Sequence, residues 1–360
     1  MDIKTIIEEY GPRLPEIGFK PLPGQSRALS AMIQCGTADC GSMLVECPEC
    51  QTRERRAHSC GHRFCPQCQN HETTRWIERV KGRLLPVPHY LVTMTVPSEH
   101  REAAYQNQRV YLDALFKASS EALAELASNP RHLGGAIGMT GVLHTHSRRL
   151  DYHPHVHFLV PAGAFDRARR LWKPKRGKCL LPWKPLTRLF RGKLMALLEE
   201  SGLKIKAFVK SDWRVHFKKV GGGAKAVEYL GRYLYRGVLS QEAIVANENG
   251  KVTFKYVDGK TKELKTRTMP GALFLATLLR HVLPKGFRRA RDYGFMNGNA
   301  SKTLALLLLV LNARAAAPAG VPPRPAFKCP KCGHAMVVVA CGLRPSPRRT
   351  GRASPSAAGG

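Results

Sequence analysis

The run from His153 to Val160 constrains the fold of this chain most, because two histidines alternate there with apolar, strand-forming residues. Successive side chains of a β-strand point to opposite faces. His155 and His157 therefore project to one face, while Val156 and Phe158 face a core on the other. Two imidazoles presented together predict a site for one metal ion. The alternative is a histidine pair with a purely structural or surface role.

A third histidine, His144, lies eleven residues before His155 in another strand-like segment. The intervening residues 147–152 are long enough to connect the two strands as a hairpin. Two adjacent strands would then hold three imidazoles over one spot. His146 and His153 are candidates of lower rank, and Pro154 indicates that the strand begins only after His153.

The charge of the chain predicts a polyanionic partner. It has 360 residues, with 58 Lys and Arg against 26 Asp and Glu, a formal net charge of +32. The phosphates of a nucleic acid are the simplest match for such an excess. The alternative is a basic protein whose charge only keeps it dispersed.

Neither end of the sequence predicts a membrane segment. The first ten residues carry acidic side chains and no long apolar core, unlike a secretory signal. The most apolar run, Thr303–Leu311, is too short to cross a bilayer. We therefore expect a cytoplasmic protein with no membrane partner, whose eleven cysteines are reduced and, where clustered, bind metal.

Two Cys-x-x-Cys pairs near the N-terminus predict a structural zinc site with the ligands Cys47, Cys50, Cys65 and Cys68. Two such knuckles supply the four thiolates of a closed tetrahedral site. The exact ligand set stays open, because Cys60, together with Cys35 or His62, could replace one ligand or build a second site.

A helix predicted over Ala224–Arg236 carries Tyr229 and Tyr233, which share one face because they are four residues apart. Lys225, Arg232 and Arg236 flank the tyrosines and are candidate DNA-binding residues. The alternative is that the tyrosines simply pack in the core.

The segment 283–295 is basic and aromatic, and it predicts a surface that binds nucleic acid through Lys285, Arg288 and Arg289. A structural turn with solvated arginines is the alternative. Residues 313–360 are rich in Ala, Pro, Gly, Ser and Arg, so most of them are expected to be disordered. A further knuckle, Cys329 and Cys332 with His334 and Cys341 nearby, could also bind zinc.

The histidines and tyrosines together predict phosphoryl chemistry. A metal ion held by imidazoles can bind a phosphate oxygen and stabilise charge that develops on the phosphate. A tyrosine hydroxyl beside it can attack the phosphorus, provided that its neighbours help it to ionise, since its unperturbed pKa is about 10. The products would be a DNA 5′-phosphotyrosine and a free 3′-OH, which allows the strand to be rejoined elsewhere.

From about Cys35 to about Phe295 the chain resembles the two-tyrosine HUH transposases of rolling-circle insertion sequences, the insertion sequence 91 family. The resemblance rests on these segments taken together: residues 59–69 with their Cys and His residues, Leu143–Thr145, His153–His157, Tyr229–Tyr233 and His281–Phe287.

This resemblance implies an α+β fold, in which a small N-terminal zinc-binding module precedes an HUH-type antiparallel sheet flanked by helices, with a disordered C-terminal tail. We place these domains at residues 1–80, 81–300 and 301–360. It implies cleavage and transfer of single-stranded DNA at element ends and into target DNA, with Mg²⁺ or Mn²⁺. Tyr229 and Tyr233 would be nucleophiles, and His155 and His157 metal ligands. His144 is a third ligand by strand geometry, although three imidazoles would also suit zinc.

Two other functions remain open at this point. A replication initiator or relaxase would use the same chemistry at an origin, although the cysteine block and the lack of a helicase-like phosphate loop favour a transposase. A non-catalytic zinc-ribbon protein would bind DNA without forming a covalent adduct. A bacterial, nucleoid-associated location follows from the transposase interpretation, whereas the oligomeric state does not follow from the sequence.

Overall fold

The computed structural model describes residues 2–68, 70–206, 212–232, 234, 237–259, 261–313 and 326–343. Its α-helices are α1 (Ile3–Tyr10), α2 (Pro23–Gln34), α3 (Asn70–Lys81), α4 (Arg101–Gln106), α5 (Gln108–Ser128), α6 (Trp183–Glu200), α7 (Ala224–Gly231), α8 (Gly271–Leu279) and α9 (Ser301–Val310).

The β-strands in the same part of the chain are β1 (Ser42–Glu46), β2 (Arg53–Ala57), β3 (His89–Thr95), β4 (Gly138–His146), β5 (Tyr152–Pro161), β6 (Gly163–Asp166), β7 (Leu171–Pro174), β8 (Arg214–Lys219), β9 (Ile244–Glu248), β10 (Lys251–Val257), β11 (Leu264–Pro270), β12 (Ala290–Gly294), β13 (Phe327–Lys328) and β14 (Ala335–Leu343). This mixture of helices and antiparallel strands confirms the predicted α+β class.

The chain divides into two compact units. The larger unit contains the described residues up to Ile33 and those from His62 to 313, and the smaller contains Gln34–Gly61 and 326–343. This division differs from the three consecutive domains predicted from the sequence, because the smaller unit takes strands from two distant parts of the chain.

The larger unit is built on a five-stranded antiparallel sheet in the order β12-β4-β5-β3-β8. Val156, Phe158 and Val160 of β5 are buried in one core together with apolar residues of α5 and α6. Leu159 and, on β4, Val142 belong to a second core with α3 and α7. Helices therefore cover both faces, and strand alternation directs every second residue of β5 towards α7.

β5 begins at Tyr152, so the expectation that it starts after His153 was wrong. Pro154 is tolerated because pairing with β3 ends at His155, and because a β-bulge interrupts the pairing with β4 between His144 and His146. The missing N–H of the proline therefore costs no regular ladder hydrogen bond.

The spacing of apolar residues over Arg101–Asn129 predicts one amphipathic helix, but the structure has two, α4 and α5, which meet at Asn107. The backbone of Asn107 leaves the helical region at φ −119° and ψ 41°, and its side-chain amide donates to the Ala103 carbonyl oxygen at 3.1 Å. Asparagine side chains compete in this way with helical hydrogen bonds.

The turn residues Asp258 and Gly259 predict a hairpin of residues 251–257 and 262–267. β10 and β11 form this hairpin, and β9 pairs with the other edge of β10. The Asp258 carboxylate accepts a hydrogen bond from the Thr261 backbone N–H at 3.0 Å, which stabilises the turn. None of the helices among the described residues is long and apolar enough to cross a membrane.

The smaller unit is a four-stranded sheet in the order β13-β14-β1-β2. Val45 of β1 pairs with Val338 of β14, and Met336 is buried beside Val45. The prediction of a disordered tail therefore fails for residues 326–343, where the β-branched run Val337–Val339 favours a strand. The tail domain placed at residues 301–360 begins with a helix, since residues 301–310 form α9 and bury Leu307. The rest of the predicted tail, residues 314–325 and 344–360, lies outside the described residues.

Candidate functional site

The hairpin of β4 and β5 brings the three predicted histidine ligands together. Its register places His144 opposite His155, with Val142 opposite His157. The ring centroids of His144 lie 5.5 Å from His155 and 4.5 Å from His157, and those of His155 and His157 are 4.8 Å apart. One ring nitrogen from each histidine lies within 4.8 Å of the others. The arrangement can hold one metal ion.

Hydrogen bonds orient two of these rings. The Nδ1 of His155 donates to the His153 carbonyl oxygen at 2.7 Å, so the Nε2 of His155 carries the lone pair. The Nδ1 of His157 is 2.8 Å from the Thr93 hydroxyl, and its Nε2 is buried with no hydrogen-bond partner among the described residues. A buried imidazole nitrogen that lacks a partner is what a metal ligand requires.

Burial also sets the protonation of the histidines. It lowers the pKa of His144 and of His157 well below the ordinary value, with a further contribution from neighbouring histidines, and it lowers the pKa of His155. All three are therefore neutral near pH 7, which is the form that binds metal ions.

His146 and His153, the candidates of lower rank, are outside this group of three. The His146 ring lies between those of His144 and His281, at centroid distances of 5.9 Å from each. The Nδ1 of His153 accepts a hydrogen bond from the Arg101 guanidinium at 3.1 Å.

Tyr229 of α7 stands beside the three histidines, as its predicted role requires. Its ring centroid is 5.9 Å from that of His144 and 6.0 Å from that of His157, and 38% of the residue is exposed. The phenol is therefore close to the imidazoles and accessible to a substrate.

Packing against α3 holds α7 over the sheet. Val227 and Leu230 are buried in the core that contains Trp76. Gly231 has no room for a side chain, because a Cβ there would lie 2.5 Å from the Ile77 side chain. The Glu228 carboxylate also pairs with the Lys81 ammonium at 2.9 Å. Tyr233 and Arg236 lie outside the described residues.

A cleft of about 670 Å³ opens over the histidines and Tyr229. Arg148, Arg232 and Lys255 contribute cations to its lining, and no acidic residue of the described chain lines it. Arg232 was predicted from the sequence, but Arg148 and Lys255 were not. The position of Arg148 in the loop between the two histidine strands could have indicated that it lies near the site. The sequence around Lys255 contains no pattern that would have indicated this for Lys255.

Hydrogen bonds connect the β10–β11 hairpin to the β4–β5 loop. The Arg148 guanidinium donates to the carbonyl oxygens of Val257 at 3.3 Å and Asp258 at 3.2 Å. The guanidinium of Arg267 pairs with the Asp151 carboxylate at 2.9 Å. These bonds make the hairpin one wall of the cleft.

The other predicted DNA-binding residues fall in several places. Lys225 is exposed on α7 but does not line the cleft. Lys285 and Arg288 are exposed, and Arg288 lines a separate cleft of about 610 Å³. Arg289 is buried, so the predicted surface position is wrong for this residue. Burial, and then the nearby Arg63 guanidinium, lower the pKa of Arg289 to about 10.

In the smaller unit the structure groups Cys47 and Cys50 with Cys329 and Cys332, not with Cys65 and Cys68 as predicted. The sulfurs of the four residues lie within 4.8 Å of one another. The prediction missed this partner because the two knuckles are far apart in sequence. Hydrogen bonds from the Thr52 hydroxyl and then from its backbone lower the pKa of the Cys50 thiol to about 6, which favours the thiolate.

The remaining candidate zinc ligands belong to different units. Cys65 and Cys68 are buried in the larger unit, where the Cys65 backbone N–H donates to the His62 carbonyl oxygen at 2.9 Å. Cys35 and Cys60 belong to the smaller unit, where the Cys60 backbone N–H donates to the Cys35 sulfur at 3.5 Å.

Two family profiles match the chain, a transposase zinc-binding domain over residues 6–96 and a putative transposase over residues 138–303. The putative transposase y4qJ of Sinorhizobium fredii (strain NBRC 101917 / NGR234) is 32% identical over 318 residues, which cover 82% of this chain and 80% of the relative. The transposase for insertion sequence element IS801 of Pseudomonas savastanoi pv. phaseolicola is 31% identical over 303 residues, which cover 79% of this chain and 72% of the relative. No solved structure matches significantly.

Proposed function

Because the chain belongs to the insertion sequence 91 family of transposases, we propose that it cleaves and rejoins single-stranded DNA at the ends of such an element, with Tyr229 as a nucleophile. The observation that carries the proposal is the phenol ring of Tyr229, about 6 Å from the rings of His144 and His157 in an open cleft.

The histidines suit a divalent cation. His144, His155 and His157 are neutral, their nitrogens converge, and the buried Nε2 of His157 has no hydrogen-bond partner among the described residues. Three ligands leave coordination positions for substrate oxygens. Mg²⁺ or Mn²⁺ held there would supply positive charge beside the scissile phosphate.

In the proposed cleavage step Tyr229 is the nucleophile. The phenol oxygen attacks the phosphorus, a bond forms between them, and the bond from phosphorus to the 3′-oxygen breaks. The phenolic proton is lost to solvent, and the departing 3′-oxygen gains one. The products are a 5′-phosphotyrosine and a free 3′-OH, so the number of phosphodiester bonds is unchanged.

Rejoining is the reverse step with another strand. A 3′-OH attacks the phosphotyrosine, and the phenol of Tyr229 is released. Tyr233, four residues later in the sequence, would perform a second cleavage while the first end is still covalently held. Two nucleophiles would thus connect an element end to target DNA.

The lining of the cleft supports the proposed binding of a strand. Arg148, Arg232 and Lys255 supply cations around the phosphates, and Tyr256 supplies an aromatic ring on which a base can stack. Cations beside an aromatic ring are the lining expected for a single strand, whose bases are free to stack.

A covalent assay tests the proposal. Oligonucleotides from the two ends of the element are labelled at the 5′ or the 3′ terminus, incubated with the protein and Mn²⁺, and separated on a denaturing gel. The 3′-labelled strand should become covalently attached to protein, whereas the 5′-labelled strand should only become shorter. EDTA should prevent both changes.

Variants identify the nucleophile. Tyr229→Phe combined with Tyr233→Phe should abolish the adduct. The single variants then show which tyrosine performs which cleavage. Tyr256→Phe is a matched control, because it removes a hydroxyl from the same cleft but keeps the ring on which a base can stack, and it should leave the adduct unchanged. Binding without any adduct on strands from either end would contradict the proposal and favour a non-catalytic DNA-binding protein. Cleavage at a plasmid origin but at neither element end would favour an initiator or relaxase.

A further inference from the structure

The smaller unit contains a four-cysteine cluster whose members come from two distant segments of the chain. The sulfur of Cys47 is 3.4 Å from that of Cys332, and the sulfur of Cys50 is 3.5 Å from those of Cys329 and Cys332. A tetrahedral ion with zinc–sulfur bonds of about 2.3 Å would separate its sulfurs by about 3.8 Å. Disulfide bonds would need sulfurs only about 2.0 Å apart.

The two segments have matching backbone structure. In the first, the Gln51 N–H donates to the Cys47 carbonyl oxygen at 2.8 Å, and the Cys47 N–H donates to the Thr52 carbonyl oxygen at 2.9 Å. In the second, the Gly333 N–H donates to the Cys329 carbonyl oxygen at 2.9 Å, and the Cys329 N–H donates to the His334 carbonyl oxygen at 2.8 Å.

The residue after the second cysteine has a positive φ in both turns, 54° at Gln51 and 76° at Gly333. A non-glycine residue rarely adopts such a backbone conformation, so its presence at Gln51 indicates a turn that the surrounding structure requires. The two turns are equivalent zinc knuckles.

The sheet holds these two knuckles against each other. One lies between β1 and β2, the other lies between β13 and β14, and β14 pairs with β1. Cys47 and Cys329 are buried together with Val45 and Met336. Two hairpins packed in this way direct two pairs of thiols towards one point.

We propose that Cys47, Cys50, Cys329 and Cys332 bind one structural zinc ion, so that the segment 326–343 completes a metal-binding module begun near the N-terminus. The matched zinc-binding profile ends at residue 96 and therefore does not include Cys329 and Cys332. Because a structural zinc site contributes its binding free energy to folding, this unit needs both segments and the metal.

Metal analysis of the full-length protein tests this proposal. Cys332→Ser should lower the zinc content by one equivalent per chain after dialysis against a competing chelator. Cys341→Ser is the matched control, because Cys341 is an exposed cysteine of β14 outside the cluster, and it should leave the zinc content unchanged. Cobalt-substituted protein should show the visible bands of tetrahedral thiolate coordination, weakened by Cys332→Ser but not by Cys341→Ser.

A second measurement needs no variant and covers the case in which Cys332→Ser does not fold. The wild-type chain is alkylated before and after zinc removal, and each modified cysteine is identified by mass spectrometry. Cys329 and Cys332 should be protected together with Cys47 and Cys50 until the zinc is removed, while Cys341 reacts throughout. Rapid alkylation of Cys329 and Cys332 in the zinc-loaded protein, or a disulfide linking them to the first knuckle, would overturn the proposal.

Discussion

The histidine site and the cysteine cluster are both built on antiparallel hairpins, yet they are assembled over very different distances along the chain. His144, His155 and His157 come from one hairpin, in which β4 and β5 are neighbours in sequence. Cys47 and Cys332 are 285 residues apart. The first site therefore depends on local strand register, whereas the second depends on long-range pairing of β1 with β14.

The two sites also differ in accessibility. The histidines lie beneath a cleft of about 670 Å³, beside the partly exposed Tyr229. The four cysteine sulfurs lie within 4.8 Å of one another, and an ion bound by all four would have no coordination position left for a substrate. Three ligands in an open cleft suit a catalytic metal ion, whereas four ligands that fill every coordination position suit a structural metal ion.

The largest expected effect comes from removing a histidine ligand, a change that should affect the histidine site and not the cysteine cluster. His157→Ala should reduce covalent adduct formation by more than about 100-fold, because loss of a ligand costs more than the 10- to 100-fold loss expected from removal of its hydrogen-bond partner. The zinc content, measured on the same preparation, should not change. Adduct yield over a Mn²⁺ titration provides the measurement.

The control for this substitution is His153→Ala, which removes a neighbouring imidazole that is not in the ligand group. The carbonyl oxygen of residue 153, which orients His155, is retained. Adduct formation should stay close to that of the wild type. An equal loss in both variants would extend the metal site to His153.

A smaller effect is expected at Thr93, whose hydroxyl lies 2.8 Å from the Nδ1 of His157. Thr93→Val should raise the Mn²⁺ concentration for half-maximal adduct formation by about 10- to 100-fold, since hydrogen-bond partners orient metal-bound imidazoles. Saturating Mn²⁺ should restore most of the rate. Thr93→Ser keeps the hydroxyl and should behave as the wild type, so a similar defect in Thr93→Ser would indicate a packing effect instead.

The smallest of these effects concerns the open side of the cleft. Lys255→Gln should weaken binding of single-stranded DNA and reduce the slope of log affinity against log salt by about 0.7, the value for one phosphate contact. Lys302→Gln, at an exposed position of α9 that does not line the cleft, removes the same charge and is the control. Equal slopes for the two variants would show that Lys255 makes no phosphate contact. Fluorescence anisotropy at several salt concentrations measures both.

The sequence predicted the local parts of the fold well. The β4–β5 hairpin and the β10–β11 hairpin form as expected, since strand alternation and turn residues act over short distances. Two boundaries differ for local reasons, namely the break at Asn107 and the early start of β5 at Tyr152. Tyr229 lies beside the histidines as expected, whereas the role of Tyr233 stays a prediction.

Short-range patterns in the sequence were enough to predict the histidine face of β5 and the presence of cysteine knuckles, because each depends on residues only a few positions apart. The α+β class was implied by the family resemblance. The pairing of the knuckles, the burial of Arg289 and the position of Lys255 in the cleft became visible in the three-dimensional structure alone. The physical reason is that pairing of β1 with β14, and packing of the β10 hairpin beside the β4–β5 loop, depend on contacts between distant segments. No local pattern in the sequence records those contacts.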